Sequence, residues 1–296
     1  MSPEQALQYC LAGVTVGSVY AIVAIGFNII YNTTGIINFA QGEFVVLGGM
    51  IAISLNARLP MPLAVAGAVV VTAAVGALIG MLLTRCVKRP TVLRLIILTI
   101  GLSIILRAAM LHVWDEKVRA LPFFTGTETS SVAVFGAHIT PQALWVLGIC
   151  ALIVAGLTMF FRYTLTGRAM RACAANRTAA GLCGINVGWM VTLSFVLSAG
   201  IGALAGCAIS PVTQTQYDMG APLAIKGFTV AILGGMGNSL AAVAAGLLLG
   251  ILESFSICVF PLAYQHAVAI AVLLAVLVFR PSGLFGSREV SALKEF

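Results

Sequence analysis

Long apolar runs, each closed by polar, Gly or Pro residues, dominate the chain. They fall at 8–30, 36–55, 62–84, 91–113, 141–161, 189–211, 224–236, 238–258 and 264–280. About 20 apolar residues at 1.5 Å rise span the roughly 30 Å hydrocarbon core of a bilayer. The pattern therefore predicts an all-α integral membrane protein with about eight to nine transmembrane helices. The run 224–236 is too short to cross as a regular helix and is expected to be a short or discontinuous span. The longest polar stretches leave no room for an inserted soluble domain, so residues 1–296 read as one transmembrane domain.

Composition agrees with the pattern. Of 296 residues 60% are hydrophobic and 8% charged, with mean hydropathy +1.08. Soluble domains carry about 25% charged residues, because charge covers a surface that faces water. Glycines recur four apart, as Gly13 and Gly17, Gly76 and Gly80, Gly202 and Gly206, and Gly246 and Gly250. Such spacing lets helix backbones approach closely where lipid gives no hydrophobic drive for association.

The net charge of +7 follows topology, since the basic residues sit in short loops without the aromatic-interleaved surface of a nucleic-acid binder. Arg85, Lys88, Arg89 and Arg94 cluster at one loop, Arg162, Arg168, Arg171 and Arg177 at another, and Arg280, Arg288 and Lys294 in the tail. Asp115, Glu116, Lys117, Arg119 and Glu128 share the loop Trp114 to Thr140, and Asp218 lies in Thr213 to Pro222. Lys and Arg collect on the cytoplasmic side, which predicts N-terminus outside and C-terminus inside. Met1 to Tyr9 has no basic stretch ahead of the first run, so that run is expected to stay as a span. The seven cysteines include no CxxC and lie mostly within apolar segments, so they read as small apolar residues; no metal site is expected.

Two regions interrupt the apolar pattern at membrane depth, where backbone breaks are tolerated only under protein or beside water. In Phe27 to Gly49 the polar residues Asn28, Asn38, Gln41 and Glu43 interrupt helices. An ionisable group inside a span is costly and usually marks a pathway or a partner. Glu43 either serves such a pathway or sits near the cytoplasmic end, hydrated or capping a helix begun near Asn38. In Lys226 to Glu253 a half-length run meets Gly234, Gly235, Gly237 and Asn238 before a full span. Broken helices form substrate paths in transporters; the alternative is a tight cytoplasmic hairpin. Glu253 either pairs with a neighbouring helix or sits near the outer interface, and Asp218 and Lys226 are expected to flank the same outer entrance. The candidate pathway residues are thus Asn28, Asn38, Gln41, Glu43, Gly234, Gly235, Asn238 and Glu253.

The loop 163–187 differs in kind. In TLTGRAMRACAANRTAAGLCGIN, Arg168, Arg171, Ala172, Ala175, Ala179 and Leu182 recur at helical spacing. They predict a short helix with a shallow small-residue face, fit either for a groove on another protein or, through its arginines, for anionic lipid.

Four blocks in order, GFNIIYNTTGIINFAQGEFVVLGG, TGRAMRACAANRTAAGLCGIN, KGFTVAILGGMGN through GLLLGILE, and RPSGLFG at Arg280 to Gly286, resemble the permeases of branched-chain amino acid ABC importers, the Liv type. Length and the short N-terminus are similar to the shorter of that system's two permeases. The resemblance implies an inner-membrane importer with a second permease, two cytoplasmic ATPases that bind ATP and Mg, and an external solute-binding protein. It implies that Gly167 to Asn186, with Arg168, Arg171, Ala172, Ala175, Ala179 and Gly184, docks in a groove of the ATPase. It implies branched-chain amino acids as substrate, although the same permease type also serves urea, short amides and aromatic acids.

The chain itself has no GxxxxGK[ST] phosphate loop, so the ATP chemistry is expected in partners and no cofactor in this chain. His112, His138 and His266 are scattered and no HExxH occurs, so no catalytic residue is expected and the chain reads as no enzyme. The rival reading is a stand-alone secondary transporter or channel using Glu43 or Glu253.

Overall fold

The computed structural model describes residues 3–86, 91–127, 130–134, 137–258, 261, 264–280 and 283–284. Lys88, Arg89, Glu128, Arg288, Lys294 and most of the RPSGLFG block lie outside these residues. The described chain is helical: α1 (Pro3–Thr34), α2 (Gln41–Asn56), α3 (Met61–Cys86), α4 (Val92–Trp114), α5 (Pro141–Tyr163), α6 (Leu165–Ala175), α7 (Arg177–Leu182), α8 (Val187–Thr213), α9 (Gly220–Gly234), α10 (Ser239–Ser256) and α11 (Gln265–Phe279). A two-stranded antiparallel ribbon, β1 (Val132–Val134) and β2 (Ala137–Ile139), and an isolated bridge between Arg119 and Thr215 add the extended pairing seen among the described residues. The ribbon marks the hairpin end of the bundle; α6 and α7 mark the other end.

Six helices, α1, α3, α4, α5, α8 and α10, are long and apolar enough to cross a membrane, and α9 and α11 are shorter apolar helices. With α2 the count reaches the nine segments expected. The predicted ends of most spans match to within a few residues. The exception is 36–55, expected as one span: only 41–56 is helical, and the preceding residues form a loop folded into the bundle.

Burial separates centre from rim. In the apolar stretch of α8 78% of residues are buried, against 17% in α4. A water-soluble protein would hide the exposed Leu93, Ile97, Ile104 and Ile105 of α4. Lipid or another membrane chain is their natural solvent. Small residues set the central contacts. A Cβ on Gly17 would lie 2.5 Å from the Gly246 carbonyl oxygen, and one on Gly250 2.3 Å from that of Gly13, so the glycine pairs of α1 and α10 interlock backbone to backbone. Gly76 and Gly80 let α3 close on Phe195 and Thr192 of α8, and Gly202 and Gly206 let α8 close on Phe44 and Val45 of α2.

Side chains cap the helices at the α6/α7 end. Thr164 accepts from the Gly167 N–H at 2.9 Å, Asn176 from Ala179 at 2.9 Å, Asn186 from Trp189 at 3.0 Å and Asn238 from Ala241 at 3.1 Å. Each satisfies one donor of an exposed helix start. At the hairpin end the Gln8 amide brackets β2: it donates to the His138 carbonyl at 2.7 Å and accepts from the His138 N–H at 2.9 Å.

Candidate functional site

Two short helices begin inside the bundle from opposite ends. After α1, Gly35 takes φ +70° and turns the chain back, so that Ile36, Asn38 and Ala40 are buried. Gln41, the first residue of α2, donates its side-chain amide to the Ser198 carbonyl at 3.3 Å and packs on Gly26. The Ser198 hydroxyl sits between the Gly26 carbonyl, at 2.9 Å, and the Gln41 side-chain oxygen. Ser198 lies near the middle of α8, so α2 starts half-way along α8 rather than at its end. From the other end, Gln214 takes φ 61° after α8, Thr215 packs on Gly49, and Gly220 opens α9 against Gly42. A Cβ on Gly42 would lie 1.8 Å from the Gly220 carbonyl oxygen, so only glycine permits this approach of the two helix starts.

Glu43 occupies the meeting point. It lies in the first turn of α2, and a Cβ on Gly220 would fall 2.4 Å from its Oε2, so the positive ends of two helices adjoin one carboxylate. Its Oε1 accepts from the Ser103 hydroxyl at 3.0 Å and from the Arg107 guanidinium at 2.8 Å. Ser103 is the middle residue of α4, which places Glu43 half-way along that helix. The Glu43 side chain is 1% exposed, and that of Arg107 33%. Of the alternatives for Glu43, hydration does not describe the site, since the side chain is buried against a guanidinium, whereas its place in the first turn of a helix begun just after Asn38 does. Glu43 Oε2 and Asn38 Nδ2 have no hydrogen-bond partner among the described residues although both are buried. A carboxylate so held, with one oxygen uncommitted and its cation part-open, can accept a donor group such as an ammonium or amide once α4 shifts.

A second buried ion pair links α9 and α10. Lys226 Nζ donates to Glu253 Oε1 and, at 2.7 Å, to the Tyr20 hydroxyl of α1, and it lies 5.0 Å from the centre of the Tyr20 ring. Of the two readings of Glu253, the structure gives the paired one. Lys226 and Asp218, expected together, have different surroundings: the Lys226 side chain is buried between three helices, whereas Asp218 is exposed. The physical reason is that α9 starts at Gly220, which carries Lys226 nearly two turns into the bundle.

Asn28, Gly234, Gly235 and Asn238 form a third group, away from Glu43. Gly235 and Gly237, at φ 92° and 99°, make a tight turn between α9 and α10. Asn28 accepts from the Gly237 N–H at 3.1 Å and donates to the Asn238 carbonyl at 3.3 Å, while Asn32 donates to the Gly237 carbonyl at 2.9 Å. The backbone groups freed by the break are thus consumed by α1. The hairpin alternative describes the geometry, and these hydrogen bonds tie the turn to the bundle.

The predicted single helix in 163–187 is two helices, α6 and α7, because Asn176 leaves helical geometry to cap α7. Arg168, Arg171, Ala172, Ala175, Ala179 and Gly184 are all exposed, and Leu182 is 86% exposed, while Met170, Cys173 and Ala180 turn inward. Burial pushes the Cys173 thiol up from its ordinary value, so it packs as an apolar group. Gly184, at φ +82°, ends the segment.

Sequence reasoning missed Tyr20, Asn32, Ser103, Arg107, Ser198, Gly220 and Lys226 as a partner. Arg107 had a signal: an arginine in the middle of an apolar run needs a counter-charge as much as Glu43 does. Gly220 had one also, since Pro222 fits the first turn of a helix and marks a start before the apolar run. Ser198 had none, because its role depends on which helix faces it.

Residues 9–277 match the family model described as branched-chain amino acid transport system / permease component. The chain is 36% identical over 305 residues to the high-affinity branched-chain amino acid transport system permease protein BraD of Pseudomonas aeruginosa, covering 96% of this chain and 97% of that one. It is 35% identical over 299 residues to the permease protein LivH of the high-affinity branched-chain amino acid transport system of Escherichia coli, covering 96% of each. Among solved structures, a chain of PsaBC from Streptococcus pneumoniae in complex with Fab has the same fold, with TM-score 0.52 at 13% identity over 93% of this chain and 92% of that chain.

Proposed function

Since the chain belongs to the branched-chain amino acid permease family, we propose that it is one permease subunit of an ABC importer that passes leucine, isoleucine and valine into the cytoplasm. The observation that carries this is near-full-length identity to two such permeases at 35–36%. The all-α membrane fold supports it, with two half-length helices meeting at a buried carboxylate. Helix starts aimed at mid-membrane recur where transporters hold charged solutes.

In this reading the α6/α7 end faces the cytoplasm and the hairpin end faces outward, with the N-terminus outside and the C-terminus inside, in a bacterial-type inner membrane. The clustering of Arg162, Arg168, Arg171 and Arg177 at the α6/α7 end supports that orientation. A second permease completes the pathway, two ATPases supply ATP and Mg chemistry, and an external binding protein delivers solute. The exposed small-residue face of α6 and α7 docks in the ATPase. Glu43, Gln41 and Asn38 line the path. The Asn28–Asn238 clasp and the Lys226–Glu253 pair support it from outside. ATPase closure shifts the permease between outward-open and inward-open states, which solute binding alone cannot do without differential affinity for the two.

The test is reconstitution of the chain with a second permease, ATPase and binding protein in proteoliposomes, followed by uptake of the three amino acids and, as competitors, urea and a short amide. ATP-dependent leucine uptake that urea does not suppress is expected. Uptake by this chain alone, driven by an ion gradient, would replace the importer reading with that of a secondary carrier. Ala175→Trp or Ala179→Trp should leave the chain folded in the membrane and abolish stimulation of ATP hydrolysis by loaded binding protein. Normal stimulation in both would remove the docking face.

A further inference from the structure

The α6/α7 segment packs on α1, and one of its side chains makes a hydrogen bond at the end of α1 from which the loop to Glu43 departs. Arg177, the first residue of α7, donates from its guanidinium to the carbonyl of Thr34 at 3.2 Å. Thr34 ends α1, so this carbonyl is one of the four that a helix terminus leaves without an internal partner. A cation there also suits the negative end of a helix of 32 residues.

The loop after Thr34 gives the contact its reach. Gly35 turns the chain at φ +70°, and a Cβ there would meet nothing within 4 Å, so the turn is not wedged by neighbouring side chains. The buried loop then runs through Ile36 and Asn38 to Gln41 and Glu43, and the Phe39 N–H donates to the Thr99 hydroxyl of α4 at 3.4 Å. Thus Arg177 holds the near end of a stretch whose far end is Glu43, while α4, which carries Arg107, holds its middle.

Room to move lies in the same place. A cavity of about 180 Å³ is lined by Thr34, Ile36, Leu83, Leu95, Arg177 and Phe195, among others. Packed interiors do not deform continuously, so a displaced Ile36 needs a void to enter. This one adjoins both Arg177 and the loop.

We propose that Arg177 is a positioning residue that transmits movement of the α6/α7 segment to the 35–40 loop, and so sets whether Glu43 stays paired with Arg107. The proposal rests on the reading that α6 and α7 dock on an ATPase. Arg177 touches neither solute nor nucleotide. It acts by fixing the carbonyl from which the loop departs.

The experiment uses the full complex in proteoliposomes, with Arg177→Met, which keeps the apolar stem without a donor, and Arg177→Lys, which keeps a donor. Complex yield, ATP hydrolysis stimulated by loaded binding protein, and leucine uptake are read together. The Met variant is expected to retain ATPase and hydrolysis while uptake per ATP falls about tenfold, the size of a typical coupling between sites. The Lys variant should restore most of it. Unchanged uptake per ATP in the Met variant overturns the proposal, whether hydrolysis and uptake both stay normal or fall in parallel in a complex that still assembles, which is what a purely structural contact would give. Should the Met variant not assemble, the Lys variant decides: a normal ratio supports the proposal, and a ratio as low as that of Arg177→Ala in the same assay overturns it. Failure of the docking reading shows separately, as normal stimulated hydrolysis in both Ala175→Trp and Ala179→Trp.

Discussion

Glu43 and Glu253 are equally buried, each with one oxygen in an ion pair and the other without a hydrogen-bond partner among the described residues, yet their surroundings differ. Lys226, the partner of Glu253, lies between α1 and α10 and is shared with the Tyr20 hydroxyl; its side chain is 9% exposed. Arg107, the partner of Glu43, is 33% exposed and rides on α4, a rim helix with most of its apolar surface free of the bundle. Desolvation penalises both carboxylates alike. The helix that carries the cation decides what the pair can do: one cannot open without separating the central helices, and the other opens if a rim helix shifts.

The sharpest way to break the contrast is to remove one cation from the enclosed pair. Lys226→Met leaves the Glu253 charge buried and unpaired, at a cost of about 3–5 kcal/mol. It should abolish recovery of monodisperse protein after detergent extraction, and the double change Lys226→Met with Glu253→Leu should restore it. If the single variant is as stable as the parent, the pair is not a lock. Glu43→Gln should act on the other axis, cutting ATP-dependent uptake about tenfold while extraction yield stays near that of the parent. Unchanged uptake would reduce Glu43 to a residue that fastens two helix starts.

Smaller changes refine the picture. Arg107→Lys keeps the charge but not the planar fork that spans to Glu43, and a two- to fivefold loss of uptake is expected, roughly one hydrogen bond at the lower end of its range. Equal loss in yield and uptake would place Arg107 with the structural pair. Tyr20→Phe removes one acceptor from Lys226, worth about 1 kcal/mol, and should lower the midpoint of thermal unfolding by about 2–4 °C without changing uptake at 25 °C. A marked uptake defect in Tyr20→Phe would move the enclosed cluster into the pathway.

Most of the architecture was legible because lipid leaves few options. A helix that must satisfy its own backbone in hydrocarbon advertises itself as a long apolar run, and the ends of α3, α4, α5 and α8 fall within a few residues of the runs. The glycine pairs of α1 and α10 were legible for the same reason: at four-residue spacing they form one flat stripe, and a flat stripe in lipid is useful only against another helix. The site was less legible. Glu43 stood out as a charge in an apolar setting, but its depth did not, since a run of 20 apolar residues looks alike whether it starts at a membrane surface or at mid-bundle. The face of α6 and α7 came through as a periodicity, while the break at Asn176 did not, because asparagine is tolerated inside a helix and caps one equally well.

The sequence by itself determined the class of the molecule, its spans, its small-residue contacts and the family to which it belongs, all of which are local or collinear properties. Tertiary structure alone decided that α2 and α9 start at the same point, that Ser103 and Arg107 meet Glu43, that Lys226 is enclosed, and that Arg177 reaches Thr34. The side-chain bonds behind these facts join residues between 27 and 206 positions apart, and no periodicity records which helix faces which. The reason is physical: in lipid the hydrophobic pattern drives every helix into the membrane equally, so their mutual arrangement is chosen by shape, hydrogen bonds and charge pairing, which come into being only once the helices have met.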